Sequence, residues 1–104
     1  MSSIFTKIIQ REIKSDIVHE TDTVIVIRDI APKAKTHLLI IPKKEITTVN
    51  DFSHQDAPLI AEMFFVAQEV AKKLNISAYQ LHFNVEQGQE VPHVHMHLLS
   101  DLPL

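Results

Sequence analysis

Near the C-terminal end the chain reads V-P-H-V-H-M-H-L-L-S, residues 91–100. His93, His95 and His97 alternate with Val94, Met96 and Leu98. Only an extended strand turns a two-residue period into two coherent faces. A helix of 3.6 residues per turn would scatter both sets around its circumference. The alternation therefore demands a strand with Val94, Met96 and Leu98 on the core face and three imidazoles in a row on the other. Neighbouring imidazoles in such a row stand about 6–7 Å apart. A one-residue slip in register would exchange the two faces, so the apolar set also sets the register.

A strand needs partners, and the sequence supplies them. Ile17–Glu20 and Thr23–Asp29, the latter T-V-I-V-I-R-D, read as two strands with a tight turn at Thr21–Asp22. D-I-A-P-K-A-K-T-H is a loop around Pro32. Thr36–Pro42 is a strand that Pro42 ends. Ala78–Glu86 alternates as a further strand, Q-G-Q is a turn, and Glu90–Ser100 is the last strand. Ile4–Ile13 has its apolar residues at helical spacing and predicts a short helix. After a polar stretch with room for a turn of helix, Ala57–Leu74 predicts the main helix, with Asp56 as N-cap and Pro58 in the first turn. Its stripe is Leu59, Ile60, Met63, Ala67, Val70, Ala71 and Leu74. Phe64, Phe65 and Val66 widen that stripe beyond what one small sheet can cover, which predicts a partner subunit. The order lacks a regular βαβ alternation, so the expected class is α+β with a mostly antiparallel sheet, one long helix and one short one. At 104 residues, one domain spanning 1–104 is expected.

Several function classes lose support. Net charge is −3, against the clustered positive charge that binding to long nucleic acid requires. There are no cysteines, hence no disulfide and no thiolate zinc site. No window approaches the roughly 18 apolar residues of a membrane span. The N-terminal residues lack a signal-peptide pattern, so a cytoplasmic protein without membrane contact is expected.

Histidine suits proton transfer and nucleophilic attack at neutral pH. It also ligates zinc or nickel, and a fourth histidine could complete a metal site with the row. Asn84 and the Gly88 turn lead directly into the row and offer amide groups to phosphate oxygens. Gly88 is the only glycine, which marks a backbone position that other residues avoid. No acidic cluster for Mg²⁺ accompanies it. Glu86 and Glu90 read as loop charges, Glu90 within reach of a substrate. This tilts the row towards phosphate chemistry. His19, His54 and His82 read as structural or solvated, His82 on a surface face because it alternates with Leu81 and Phe83.

H-V-H-M-H-L-L, with G-Q-E-V-P-H ahead of it, resembles the motif of the histidine triad (HIT) family. S-I-F-T-K-I-I-Q-R-E-I, V-I-R-D-I-A-P and T-H-L-L-I-I-P-K-K-E-I are similar to that family too, so the resemblance spans the chain in order. It is strongest with the small histidine triad nucleotide-binding proteins, many of them purine nucleoside phosphoramidases. The resemblance implies a HIT-like fold whose sheets join across a homodimer. It also implies a hydrolase that cleaves the phosphorus–nitrogen bond at the α-phosphate of an AMP- or GMP-like nucleotide through a covalent nucleotidyl-histidine, with no metal or cofactor. On the same ground His95 is the nucleophile, His93 and His97 bind phosphate or orient His95, and His37 joins a proton relay. Asn84, Gly88 and Gln89 match phosphate-side positions, and Asp29 a ribose-binding acid. Ile4, Phe5, Ile8, Ile27 and Ile30 match the apolar wall around the base. Ser3 and Thr6 stand where some members carry zinc-binding cysteines. L-L-S-D-L-P-L follows the triad where many members have Gly-Gly-Arg and a further tail. Two alternatives share the motif: a nucleotide-binding protein with little catalysis, and a dinucleoside polyphosphate hydrolase. A metal-binding protein using His93, His95, His97 and His37 is a third.

Overall fold

The computed structural model describes residues 3–102. In chain order the elements are α1 (Ile4–Ile9), β1 (Ile17–Glu20), β2 (Val24–Arg28), β3 (Thr36–Pro42), α2 (Ala57–Lys73), β4 (Gln80–His82) and β5 (Met96–Ser100). Two 3₁₀ turns, Val49–Asp51 and His54–Asp56, precede α2. The strands form one sheet in the order β1-β2-β3-β5-β4, antiparallel at every pairing. The expected α+β class with one long and one short helix is observed.

Strand alternation gives this sheet two buried faces. Val24, Val26, Leu38, Ile40, Met96 and Leu98 point to one side and pack with Met63, Val66, Ala67 and Val70 of α2. Ile25, Ile27, Leu39 and Ile41 point to the other and pack with Phe5 and Ile8 of α1. Each such side chain contributes about 1.5–3 kcal/mol by leaving water. His97 is the register partner of Leu39, so the histidine row lies on the α1 side, opposite Val94, Met96 and Leu98.

Several element ends differ from the sequence expectation, some by one residue and others by more. The first helix stops at Ile9 rather than Ile13, because Arg11 takes a left-handed backbone, φ 65°. The last strand begins at Met96 rather than Glu90. β3 itself continues to Pro42, but the Pro42 carbonyl accepts a ring N–H from His93 and the Val94 N–H bonds the Ile46 carbonyl, so the chain before Met96 makes its bonds outside the ladder. His93 and His95 thus sit on an extended lead-in to β5. The fourth strand spans Gln80–His82 rather than Ala78–Glu86, paired only where β5 is present to receive it. Finally, Asp56 does not cap α2 through its side chain. Its carboxylate instead accepts from the Ser53 backbone N–H (2.9 Å) and Lys44 Nζ (2.8 Å).

Candidate active site

The site lies where the lead-in to β5 crosses β3 beneath α1. His37 on β3, His95 on the lead-in and His97 on β5 line one pocket together with Phe5, Asp29 and Asn84. Lys33, Glu90 and Val91 contribute to its rim. The three triad imidazoles and His37 are all buried, His93 completely.

The hydrogen bonds assign a tautomer to each ring, because a carbonyl can only accept and a backbone N–H can only donate. His95 Nδ1 lies 2.8 Å from the His93 carbonyl and therefore carries the proton, which leaves the lone pair on Nε2. His93 donates from Nε2 to the Pro42 carbonyl (2.8 Å) and accepts at Nδ1 from the Ser3 hydroxyl (2.7 Å). With both ring nitrogens engaged, His93 acts on its neighbour through its backbone carbonyl. His37 Nδ1 accepts from the Lys33 N–H (3.2 Å), so its proton is on Nε2, which donates to His97 Nδ1 (2.9 Å). His97 then carries its own proton on Nε2. That atom is buried and has no hydrogen-bond partner among the described residues.

Burial makes these rings poor bases. It pushes His93 and His95 below the usual imidazole value, with the Pro42 and His93 carbonyls opposing the shift. It does the same to His37, against the Asp29 charge. His97 is pushed down to about 4, by burial first and then by the imidazoles of His95, His82 and His37. All four are neutral at pH 7, as a nucleophilic or hydrogen-bonding imidazole must be.

Asp29, His37 and His97 are near enough to one another to suggest a metal site. The donor set does not fit. Metal binding needs a lone pair on His37 Nε2, yet that nitrogen holds the ring's proton while Nδ1 accepts from Lys33.

Some expected residues converge here and others do not. Phe5 meets His95 edge-to-face, with centroids 5.0 Å apart. Asp29 accepts the Ala31 N–H at 2.8 Å and keeps Oδ2 at 3.5 Å from His37 Nε2. Ile8 and Ile27 are core residues behind Phe5. Ile4 is half exposed and Ile30 is 98% exposed. Gly88 holds φ 84°, the conformation that favours glycine. Neither Gly88 nor Gln89 lines the pocket. The Gln89 amide donates to the Thr47 and Val91 carbonyls (2.7 and 2.8 Å) and accepts the Glu86 N–H, which commits it to the loop.

Three contributions escaped the sequence reading. Ser3 reaches His93 across 90 residues of chain, and Glu45 in turn accepts from the Ser3 N–H and the Thr6 hydroxyl. His82 is exposed, as its alternation predicts, yet its ring stacks on His97. Only the pairing of β4 with β5 reveals that contact. His19 lies elsewhere, 3.4 Å from Glu69 of α2.

Comparison with known proteins gives four consistent matches. A family profile described as "Scavenger mRNA decapping enzyme C-term binding" matches residues 2–103. The purine nucleoside phosphoramidase of Escherichia coli strain K12 is 48% identical over 106 residues, covering 98% of this chain and 89% of that protein. Among solved structures, a HIT family hydrolase from Legionella pneumophila superposes with a TM-score of 0.93 at 43% identity, over 98% of this chain and 95% of its own. A histidine triad protein from Clostridium difficile superposes at 0.91 with 32% identity, over 100% and 96%.

Proposed function

The chain belongs to the histidine triad family of hydrolases, and from that membership we propose that it hydrolyses purine nucleoside phosphoramidates. One observation carries the proposal. The His95 Nδ1–H is held by the His93 carbonyl at 2.8 Å, so the only lone pair His95 can offer is on Nε2.

In the first step Nε2 forms a bond to the α-phosphorus. The phosphorus–nitrogen bond breaks, and the nitrogen, which takes a proton from solvent, leaves as an amine. The ring is then a nucleotidyl-histidine whose positive charge is stabilised by the Nδ1–H···O=C bond. Water next attacks phosphorus and gives up a proton to solvent, the phosphorus–histidine bond breaks, and the nucleoside monophosphate leaves with neutral His95 restored. The unpartnered His97 Nε2–H donates to a phosphate oxygen, where negative charge grows in the transition state. His37 holds His97 in the tautomer that can donate. Asn84 adds a phosphate contact, Phe5 supports the base, and Asp29 takes the ribose hydroxyls.

The 48% identity to a purine nucleoside phosphoramidase over nearly the whole chain supports both reaction and substrate class. Steady-state hydrolysis of adenosine 5′-phosphoramidate tests it. Wild type should turn over, and His95→Ala should lose at least about 10³-fold in kcat while still binding AMP. A variant with near-wild-type kcat would remove His95 as nucleophile. Activity should also survive treatment with a chelator.

A further inference from the structure

His82 stands on the edge strand β4 in register with His97 on β5. The two rings stack with centroids 4.6 Å apart and planes 8° from parallel. Among the described residues, the one hydrogen bond His97 makes through its ring is at Nδ1, to His37, and the His95 ring meets it only at a tilt, 4.9 Å between centroids. His82 is exposed in the single chain while His97 is buried, so the His82 ring covers one face of the His97 ring. We propose that His82 is a positioning residue of this site: stacked flat on His97, it covers that ring and holds its Nε2–H directed into the pocket. What the pocket binds rests on the phosphoramidase reading above. The state of His97 does not, and it can be observed in the free protein.

The consequence for His97 has a definite sign. The groups facing it are His37 from β3, His95 from the lead-in to β5, His82 from β4 and Asp29 from the end of β2. Burial is the largest influence holding it down to about 4, and the His82 imidazole adds to it. Removing the His82 ring weakens both, so His97 gains a proton more readily. A protonated His97 carries N–H groups on both nitrogens, and its Nδ1–H then meets the His37 Nε2–H. That hydrogen bond is lost, and with it the ring's orientation.

His82→Ala and His82→Phe separate the stack from its alternatives. Hydrolysis of adenosine 5′-phosphoramidate should be followed across the acid limb of the pH profile, alongside ¹⁵N titration of the His97 ring in free protein. His82→Ala should lower kcat/KM about tenfold, the scale of a lost aromatic stack, with the acid limb moved to higher pH and His97 titrating higher. His82→Phe restores a flat ring and should recover most of the activity and the low titration. A His82→Ala protein with the wild-type profile and wild-type His97 titration overturns the proposal. So does a His82→Phe protein as impaired as His82→Ala. If wild type fails to hydrolyse the phosphoramidate, the function proposed above fails, and the His97 titration alone still decides for or against His82.

Discussion

His95 presents Nε2 alone to the pocket because its Nδ1–H is held by a carbonyl that His93 fixes in place. The same burial that makes these imidazoles neutral has a cost in acid. Histidines in the unfolded chain take up protons near pH 6.5, whereas His97 in the fold does so only near 4. Between those values the unfolded state binds more protons, so stability falls as pH falls through this window. His37, His93 and His95 shift in the same direction. The melting temperature should therefore drop between about pH 7.5 and 5, a range above the usual carboxylate values. His97→Asn should lose less over the same range. An equal loss in both proteins would show that His97 is not a main contributor.

At the scale of elements, α2 depends on how it ends. Leu74 closes the helix and Asn75 takes φ 59°. The Asn75 N–H bonds the Lys72 carbonyl and the Ile76 N–H bonds the Ala71 carbonyl (3.1 and 2.8 Å), the pattern of a Schellman cap, with buried Ile76 packed behind it. Asparagine tolerates the left-handed region and a β-branched residue does not. Asn75→Val should destabilise by about 1–2 kcal/mol and Asn75→Gly should not destabilise, both read from urea unfolding. The ladder shows a related dependence. β4 is short because a strand persists only where a neighbour can receive its N–H and C=O groups.

For the whole molecule, the outer surface of α2 is the feature that an isolated chain leaves unexplained. Phe64 and Phe65 are 46% and 65% exposed on the helix whose inner face covers the sheet. β4, with its free edge, ends the sheet. We propose that these surfaces join two copies about a two-fold axis, burying the phenylalanines and extending the sheet. Phe65→Glu should then give a monomer in light scattering at concentrations where wild type is a dimer, because a charge at an apolar contact is strongly unfavourable. A wild type that is monomeric at those concentrations would contradict this assembly.

Much of this was written in local pattern. Alternation alone placed His93, His95 and His97 opposite Val94, Met96 and Leu98, and helical spacing placed Met63, Ala67 and Val70 against the sheet, because side-chain period follows directly from backbone geometry. Motif resemblance put His37, Asp29 and Asn84 with the triad. What local pattern cannot carry is pairing across the sheet and contact between distant segments. Only the fold brought Ser3 to His93, laid His82 on His97, turned Gln89 back into its own loop and left Ile30 in solvent. Those outcomes depend on which strand neighbours which and where each ladder ends, so they emerge only when β5 is seated between β3 and β4.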